Sequence, residues 1–79
     1  MKIENHEDYV VLADEKDDAA DFASFLEYQI PNKFKGQNVV LNLLDYDQLE
    51  LPQLLLFLKV SNIHRKPKHS FVIVNDAIN

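Results

Sequence analysis

The amino-acid sequence predicts a single α/β domain in which a small mixed β-sheet carries its helices on one face. Seventy-nine residues suffice for one domain, and the 47% of them that are hydrophobic are ample for one core. Four short apolar runs alternate with helical segments in the order β-β-α-β-α-β. This alternation predicts parallel strands joined by crossovers, and the tight turn between the first two strands predicts an antiparallel pair.

The first two strands are predicted to be short and close together in the sequence. Residues 2–6 (KIENH) predict a weak strand, and Glu7 and Asp8 predict a turn. Residues 9–13 (YVVLA) are apolar and rich in β-branched side chains, which is typical of a buried strand. A hairpin therefore opens the chain.

A first helix is predicted over residues 18–30. Asp17 or Asp18 is a suitable N-cap, and the neighbouring acidic residues suit the positive end of a helix. Pro31 ends the helix, because the residue before a proline disfavours helical geometry. The apolar residues at helical spacing predict one buried face, made of Ala19, Phe22, Phe25, Leu26 and Ile30.

The second half of the chain predicts a strand, a helix and a final strand. After a loop with Gly36 as its hinge, residues 38–44 (NVVLNLL) form a buried strand, and residues 45–51 a polar connection. Pro52 suits the first position of a helix over residues 52–63, where a missing N–H costs nothing. The last strand covers residues 70–74 (SFVIV).

With two helices on one face, the other face of the sheet is expected to remain partly wet. Only five residues follow Val74, too few for a further helix. We therefore expect either that this chain is an N-terminal piece lacking a C-terminal helix, or that a partner covers the open face.

Composition excludes several classes of function. The net charge of −5 disfavours nucleic-acid and anionic-membrane binding, because phosphates would repel the whole molecule. There is no cysteine or threonine and only one glycine, so a glycine-rich phosphate loop is excluded and we expect no enzyme activity and no cofactor. No signal peptide or membrane-spanning run is visible, so the expected location is cytoplasmic.

The segment from residue 39 to residue 76 resembles a STAS domain, the anti-sigma-factor antagonist fold. The resemblance rests on VVLNLL, DYDQLELPQ, LLLFLKVSNI, HRKPKH and SFVIVND, read as strand, loop, helix, cationic loop and strand. It implies a bacterial regulatory domain that binds another protein. Antagonists of the switch type carry Asp-Ser-Ser-Gly at the start of the second helix, where this chain has Glu50-Leu51-Pro52-Gln53. The phosphoserine switch of those antagonists therefore has no hydroxyl here.

The ending HRKPKHSFVIVNDAIN is also similar to short bacterial STAS-like proteins that carry a ribonuclease Z label. Such a nuclease needs a His-x-His-x-Asp-His cluster to hold zinc, whereas His6, His64 and His69 stand singly. The label is therefore not supported as an activity, and we expect no metal site.

The second helix is apolar on more than one side. A helical wheel places Leu51, Leu54, Leu55, Phe57 and Leu58 together, which predicts the core face. Leu56 and Ile63 point away from that face, beside Lys59. We therefore expect Leu56 and Ile63 to form a patch for a partner or for self-association, the alternatives being isolated exposed residues or cover by a missing helix. Leu56→Asp is expected to leave the fold intact while weakening association.

The expected docking surface combines this helix with the polar loop before it. Acidic and amide side chains would supply polar contacts, and Tyr46 a second anchor, because tyrosine is frequent at binding hot spots. The predicted partner-binding residues are Asp45, Tyr46, Asp47, Glu50, Pro52, Gln53 and Leu56. The alternative is an RNA-associated accessory domain that binds anions through Arg65, Lys66 and Lys68, although no aromatic residue lies among these cations to stack on bases.

Overall fold

A computed structural model describes residues 1–14, 18–46, 49–64 and 69–75. Its elements follow the predicted order, and the strands are shorter by one to three residues than the sequence predicts. They are β1 (Lys2–Asn5), β2 (Val10–Ala13), α1 (Ala19–Gln29), β3 (Val39–Asn42), α2 (Leu51–His64) and β4 (Phe71–Val74).

The four strands form one mixed sheet in the order β1-β2-β3-β4. β1 pairs with β2 antiparallel, and β3 lies parallel to both β2 and β4. The two helices pack against each other, with the rings of Phe22 and Phe57 edge to face at 6.0 Å. An ion pair also joins the two helices, because Lys59 Nζ of α2 lies 3.0 Å from Glu27 Oε1 of α1. Both helices therefore share one face of the sheet, and the predicted α/β fold class is confirmed.

Local signals at the helix ends agree with the sequence. The Asp18 carboxylate accepts hydrogen bonds from the backbone N–H groups of Ala20 and Asp21, at 2.7 and 3.4 Å, and so caps α1. α2 begins one residue earlier than predicted, so that Pro52 occupies its second position. The side-chain oxygen of Gln53 accepts a hydrogen bond from the Glu50 N–H at 3.0 Å, one half of a capping box.

The loop between α1 and β3 depends on its glycine. Gly36 has φ +79°, the left-handed region that a residue with a Cβ rarely adopts. The predicted loop around Gly36 is therefore confirmed.

The core lies between the sheet and the helices. Side chains alternate along each strand, so one set of residues faces the helices and the other set faces away. The helix-facing set and the residues packed on it are largely inaccessible to solvent. The buried core consists of Val10, Leu12, Ala19, Phe22, Ala23, Leu26, Ile30, Phe34, Val39, Leu41, Leu43, Phe57, Val60 and Phe71.

Both predicted helix faces need correction. Phe25, assigned to the buried face of α1, is exposed. α2 buries Phe57, Val60, Ser61 and His64, whereas the leucines predicted for its core face, Leu51, Leu55 and Leu58, are exposed. An apolar pattern that surrounds a helix does not select a face, and here Phe57 and Val60 enter the core, with Phe57 in contact with Phe22 of α1.

Candidate functional site

The carboxyl ends of β2, β3 and β4 meet at one edge of the sheet, which is where open α/β sheets bind their ligands. The residues that follow or end these strands are polar: Asp14 after β2, Asn42 at the end of β3 and Asn75 after β4. The predicted docking loop starts at this edge. The hydrogen bonds of these three side chains to residues 43–46 therefore position the start of the loop.

Asn75 holds the loop to the sheet. It is almost completely buried, and its side-chain amide donates hydrogen bonds to the backbone carbonyls of Leu43 and Tyr46, at 2.8 and 3.0 Å. Asn75 stands 29 residues after Tyr46 in the sequence, so no local pattern indicates this contact. The loop is anchored by a residue that sequence reasoning missed.

Tyr46 lies half-buried at this edge of the sheet. Its ring is half-buried against the core, and its hydroxyl donates to the Asp14 carboxylate over 3.4 Å. Asp14 is itself buried, and the Met1 amino group lies 3.8 Å from its other oxygen. The positive charge of the amino group and the hydroxyl donor stabilise this buried carboxylate, because a charged group in a purely apolar environment would be unfavourable. The role of Tyr46 as a binding anchor stays a prediction.

The remaining loop residues predicted to bind a partner divide into exposed and structural ones. Asp45, Glu50 and Pro52 are exposed. Gln53 is half-buried and occupied in capping α2. Asp47 lies outside the residues that the structure describes. Of the two exposed carboxylates, Glu50 lies directly before α2, whereas Asp45 lines a depression with Lys2, Glu4 and Asn42 of the sheet.

Leu56 does not have the exposed position that the helical wheel predicts. It is half-buried and packs against the core. A carboxylate at this position would be placed against apolar side chains, so Leu56→Asp is expected to destabilise the fold, contrary to the prediction from sequence. The prediction failed because it assigned the wrong face of α2 to the core.

The outer face of α2 instead exposes a leucine stripe, which we define as Leu51, Leu55 and Leu58. These side chains are 66%, 54% and 43% exposed and lie within about 60° of one another around the helix. Their spacing of four and three residues continues to the exposed Asn62. That spacing is visible in the sequence and could have identified the stripe, since it is the repeat of helices that pack on other helices.

The sheet face opposite the helices is a second apolar surface, which we call the open face. Its register places Glu4, Val11, Val40 and Val72 in one row across the strands, and Lys2, Ala13, Asn42 and Val74 in the next. Val72 is 49% exposed, and most of the others are half-buried. A shallow depression on this face is lined by Lys2, Glu4, Val11, Ala13, Asn42 and Asp45.

The histidines do not form a site together. His64 is buried at the end of α2, where its Nε2 donates to the Gln37 backbone carbonyl and its ring is 5.6 Å from that of Phe71. Among the described residues, no group of three or more His, Asp or Glu side chains could hold a metal ion. Arg65, Lys66 and Lys68, the predicted anion-binding alternative, lie outside the described part of the chain.

Comparisons with known proteins do not indicate which of these surfaces is functional. No family model, curated protein or solved structure matches the chain. Within the described ranges, no helix has the length and apolar character needed to cross a membrane.

Polar and apolar groups of the described residues lie in different parts of the molecule. The buried polar groups at the carboxyl edge bond to one another or to backbone and fix the loop in place. The exposed apolar groups concentrate on the leucine stripe and on the open face. Contiguous exposed apolar surface of this kind marks interaction sites in soluble domains.

Proposed function

We propose that this chain is a non-catalytic protein–protein interaction module of STAS-like type, with a regulatory role, that docks an amphipathic helix of another protein. The observation that carries the proposal is the leucine stripe on α2. The resemblance to anti-sigma-factor antagonists supports it, because the surface around their second helix binds their partner.

The stripe has the form that a partner helix requires. Leu51, Leu55 and Leu58 extend over two turns of the helix, about 10 Å, and present side chains at the spacing of a coiled-coil seam. Asn62 falls on the next position of that seam, where a polar residue fixes the register of two helices. A helix with an apolar face would cover these leucines and bury their exposed area.

The loop at the start of α2 supplies a polar rim. Glu50 is an exposed carboxylate directly before Leu51 of the stripe, which favours a partner with a basic residue beside its apolar face. The Gln53 side chain, which occupies the position of the switch motif, is bonded to the Glu50 backbone. The module is thus proposed to bind without phosphorylation of this motif.

The test compares capture of binding proteins by the tagged wild-type chain, by Leu55→Asp and by Phe25→Asp. Phe25 is the matched control, because it is an exposed apolar residue on the other helix. A captured protein is then purified and titrated against all three chains, and circular dichroism verifies that each is folded. We expect Leu55→Asp to weaken binding at least about tenfold and Phe25→Asp to leave it unchanged.

Two results contradict the proposal. One is recovery of only background proteins by the wild-type chain. The other is a purified partner that binds Leu55→Asp and the wild type equally, since the leucine stripe would then contribute nothing to docking. Leu56→Asp is unsuitable for this test, because Leu56 packs against the core.

A further inference from the structure

We infer that the free edge of β4 is a self-association site, at which the β4 strands of two copies pair antiparallel and join the two sheets edge to edge. β4 is the last strand in the sheet order, and among the described residues no strand pairs with its outer side. The inference rests on backbone hydrogen-bonding groups, and it goes beyond the proposed docking of a partner helix.

The hydrogen bonds to β3 determine which backbone groups of β4 point outward. The Leu43 N–H donates to the Val74 carbonyl at 2.8 Å, so the backbone groups of Val74 face β3. The N–H and C=O groups of successive residues in a strand point to opposite sides. Those of Phe71 and Ile73 therefore point away from β3, and β4 presents two donors and two acceptors along its free edge.

The two edges of the sheet differ in how they are protected against strand addition. Edge strands of soluble proteins usually carry charged residues, a proline or a bulge, which prevent pairing with another chain. β1, at the other edge, carries the exposed charges of Lys2 and Glu4. β4 has the sequence FVIV, without charge, proline or glycine. Of these two edges, β4 is therefore the one suited to accept another strand.

A second copy fits this edge because the outward residues match each other. A two-fold axis at Val72, perpendicular to the sheet, sets Phe71 of each copy opposite Ile73 of the other. Each of these two pairs exchanges two hydrogen bonds, so every outward donor and acceptor is used. The side chains that meet are apolar, with Phe71 against Ile73 on the helix side and Val72 against Val72 on the open face. The contact is isologous and brings no like charges together.

The helix layer beside β4 also suits a second copy. α2 packs against β4, so joining two β4 strands makes the two α2 helices neighbours on one face of the joined sheet. Lys59, the one lysine of α2, pairs with Glu27 of α1. Leu54 and Leu58 lie about 140° and 100° from Lys59 around the helix, and Leu58 is 43% exposed. A second copy thus extends both layers, whereas an isolated peptide strand would extend the sheet alone.

Sedimentation equilibrium of the purified chain, from about 10 μM to 1 mM, measures association, because a contact of this size is expected to be weak. The wild type is expected to pass from monomer to dimer over this range. Val72→Lys and Val72→Glu each place like charges opposite one another at the axis, and each is expected to weaken dimerisation at least about fivefold. An equimolar mixture of the two variants is expected to recover it, because opposite charges then meet.

Two control variants separate this edge from the other surfaces. Val40→Lys makes the same substitution in the same row of the open face, one strand further in. Leu55→Asp changes the leucine stripe at a position other than Leu58, which lies on both surfaces. Both controls are expected to dimerise like the wild type, and circular dichroism verifies that each variant is folded. Loss of the dimer in Val40→Lys assigns self-association to the open face, and loss in Leu55→Asp alone assigns it to the stripe. Either result overturns the inference.

Amide hydrogen exchange at the two ends of the concentration range tests the backbone contact directly. The N–H groups of Phe71 and Ile73 are expected to exchange at least about tenfold more slowly at 1 mM, because they become hydrogen-bonded only in the dimer. Those of Val72 and Val74 face β3 in either state and are expected to change less. A dimer without slower exchange at Phe71 and Ile73 overturns the inference. So does a wild type that stays monomeric at 1 mM, a result that leaves the docking of a partner helix to its own test.

Discussion

The two faces of the sheet are built from the same strands and similar residues but lie in different environments. On β3, Val39 and Leu41 face the helices and are completely buried, whereas Val40 between them is only half-buried on the open face. On β4, Phe71 is buried and Val72 is 49% exposed. The difference comes from what lies above each face, since the residue types do not differ.

This contrast shows what the apolar character of a strand does and does not specify. A continuous apolar run identifies a strand of a parallel sheet and predicts burial on both sides. The connections determine which side is covered: α1 and α2 pack against each other, so both crossovers leave from the same face. The open face keeps a sequence suited to burial, although no helix covers it among the described residues.

The largest expected difference between the faces is the cost of truncating a side chain. Leu41→Ala removes a fully buried side chain from the helix-facing side, and we expect it to lower the free energy of unfolding by about 2–5 kcal/mol. A chain of this length is stabilised by only about 4–12 kcal/mol in total. Val72→Ala, on the open face, is expected to cost less than about 1 kcal/mol.

Urea denaturation of the wild type and of both variants measures both values. Equal losses for Leu41→Ala and Val72→Ala would show that the open face is as well covered as the other one. That result would place a further part of the chain over the valines and would remove the distinction between the faces.

Much of the fold follows from local sequence signals. The order of elements, the Asp18 cap, the end of α1 before Pro31 and the hinge at Gly36 all rest on short-range rules of backbone geometry. These rules depend on neighbours in the chain, so they can be applied before the fold is known. The face that α2 buries depends instead on tertiary packing.

Local signals could not predict which face of α2 is buried or which residues meet at the carboxyl edge of the sheet. Leu55, Leu56 and Phe57 are adjacent apolar residues, and packing of α2 against α1 and β4 determines how deeply each is buried. At the carboxyl edge, Asn75 bonds to Tyr46 over a separation of 29 residues. A sequence pattern does not report a contact that forms only when distant strands become neighbours.

Asn75 and Asn42 give a second comparison of the faces, with a smaller effect. Asn75 lies on the covered side, and its amide donates to two backbone carbonyls, so Asn75→Ala leaves buried acceptors without that donor. We expect a loss of about 1–3 kcal/mol of unfolding free energy. Asn42 lies on the open face and bonds to one backbone N–H, so Asn42→Ala is expected to cost about 0.5–1 kcal/mol.

Thermal unfolding followed by circular dichroism ranks these two variants against the wild type. The reverse order, with Asn42→Ala the more damaging, would contradict the assignment of Asn75 as the residue that holds the loop. Solvent replaces a lost hydrogen bond at an open surface but does not reach the buried carbonyls that Asn75 serves, and this difference produces the expected ranking.

The smallest expected effect comes from a pair of substitutions in one strand that differ mainly in the burial of the replaced side chain. Val39→Thr and Val40→Thr change neighbouring residues of one strand from valine to a β-branched residue of similar shape, so strand propensity and volume are nearly conserved. The added hydroxyl of Val39→Thr is buried, and we expect a loss of about 1–3 kcal/mol of unfolding free energy. At Val40 the hydroxyl reaches water, and the expected change is within about 0.5 kcal/mol. Urea titrations of both variants against the wild type measure these changes, and equal losses would contradict the difference in burial between the two valines.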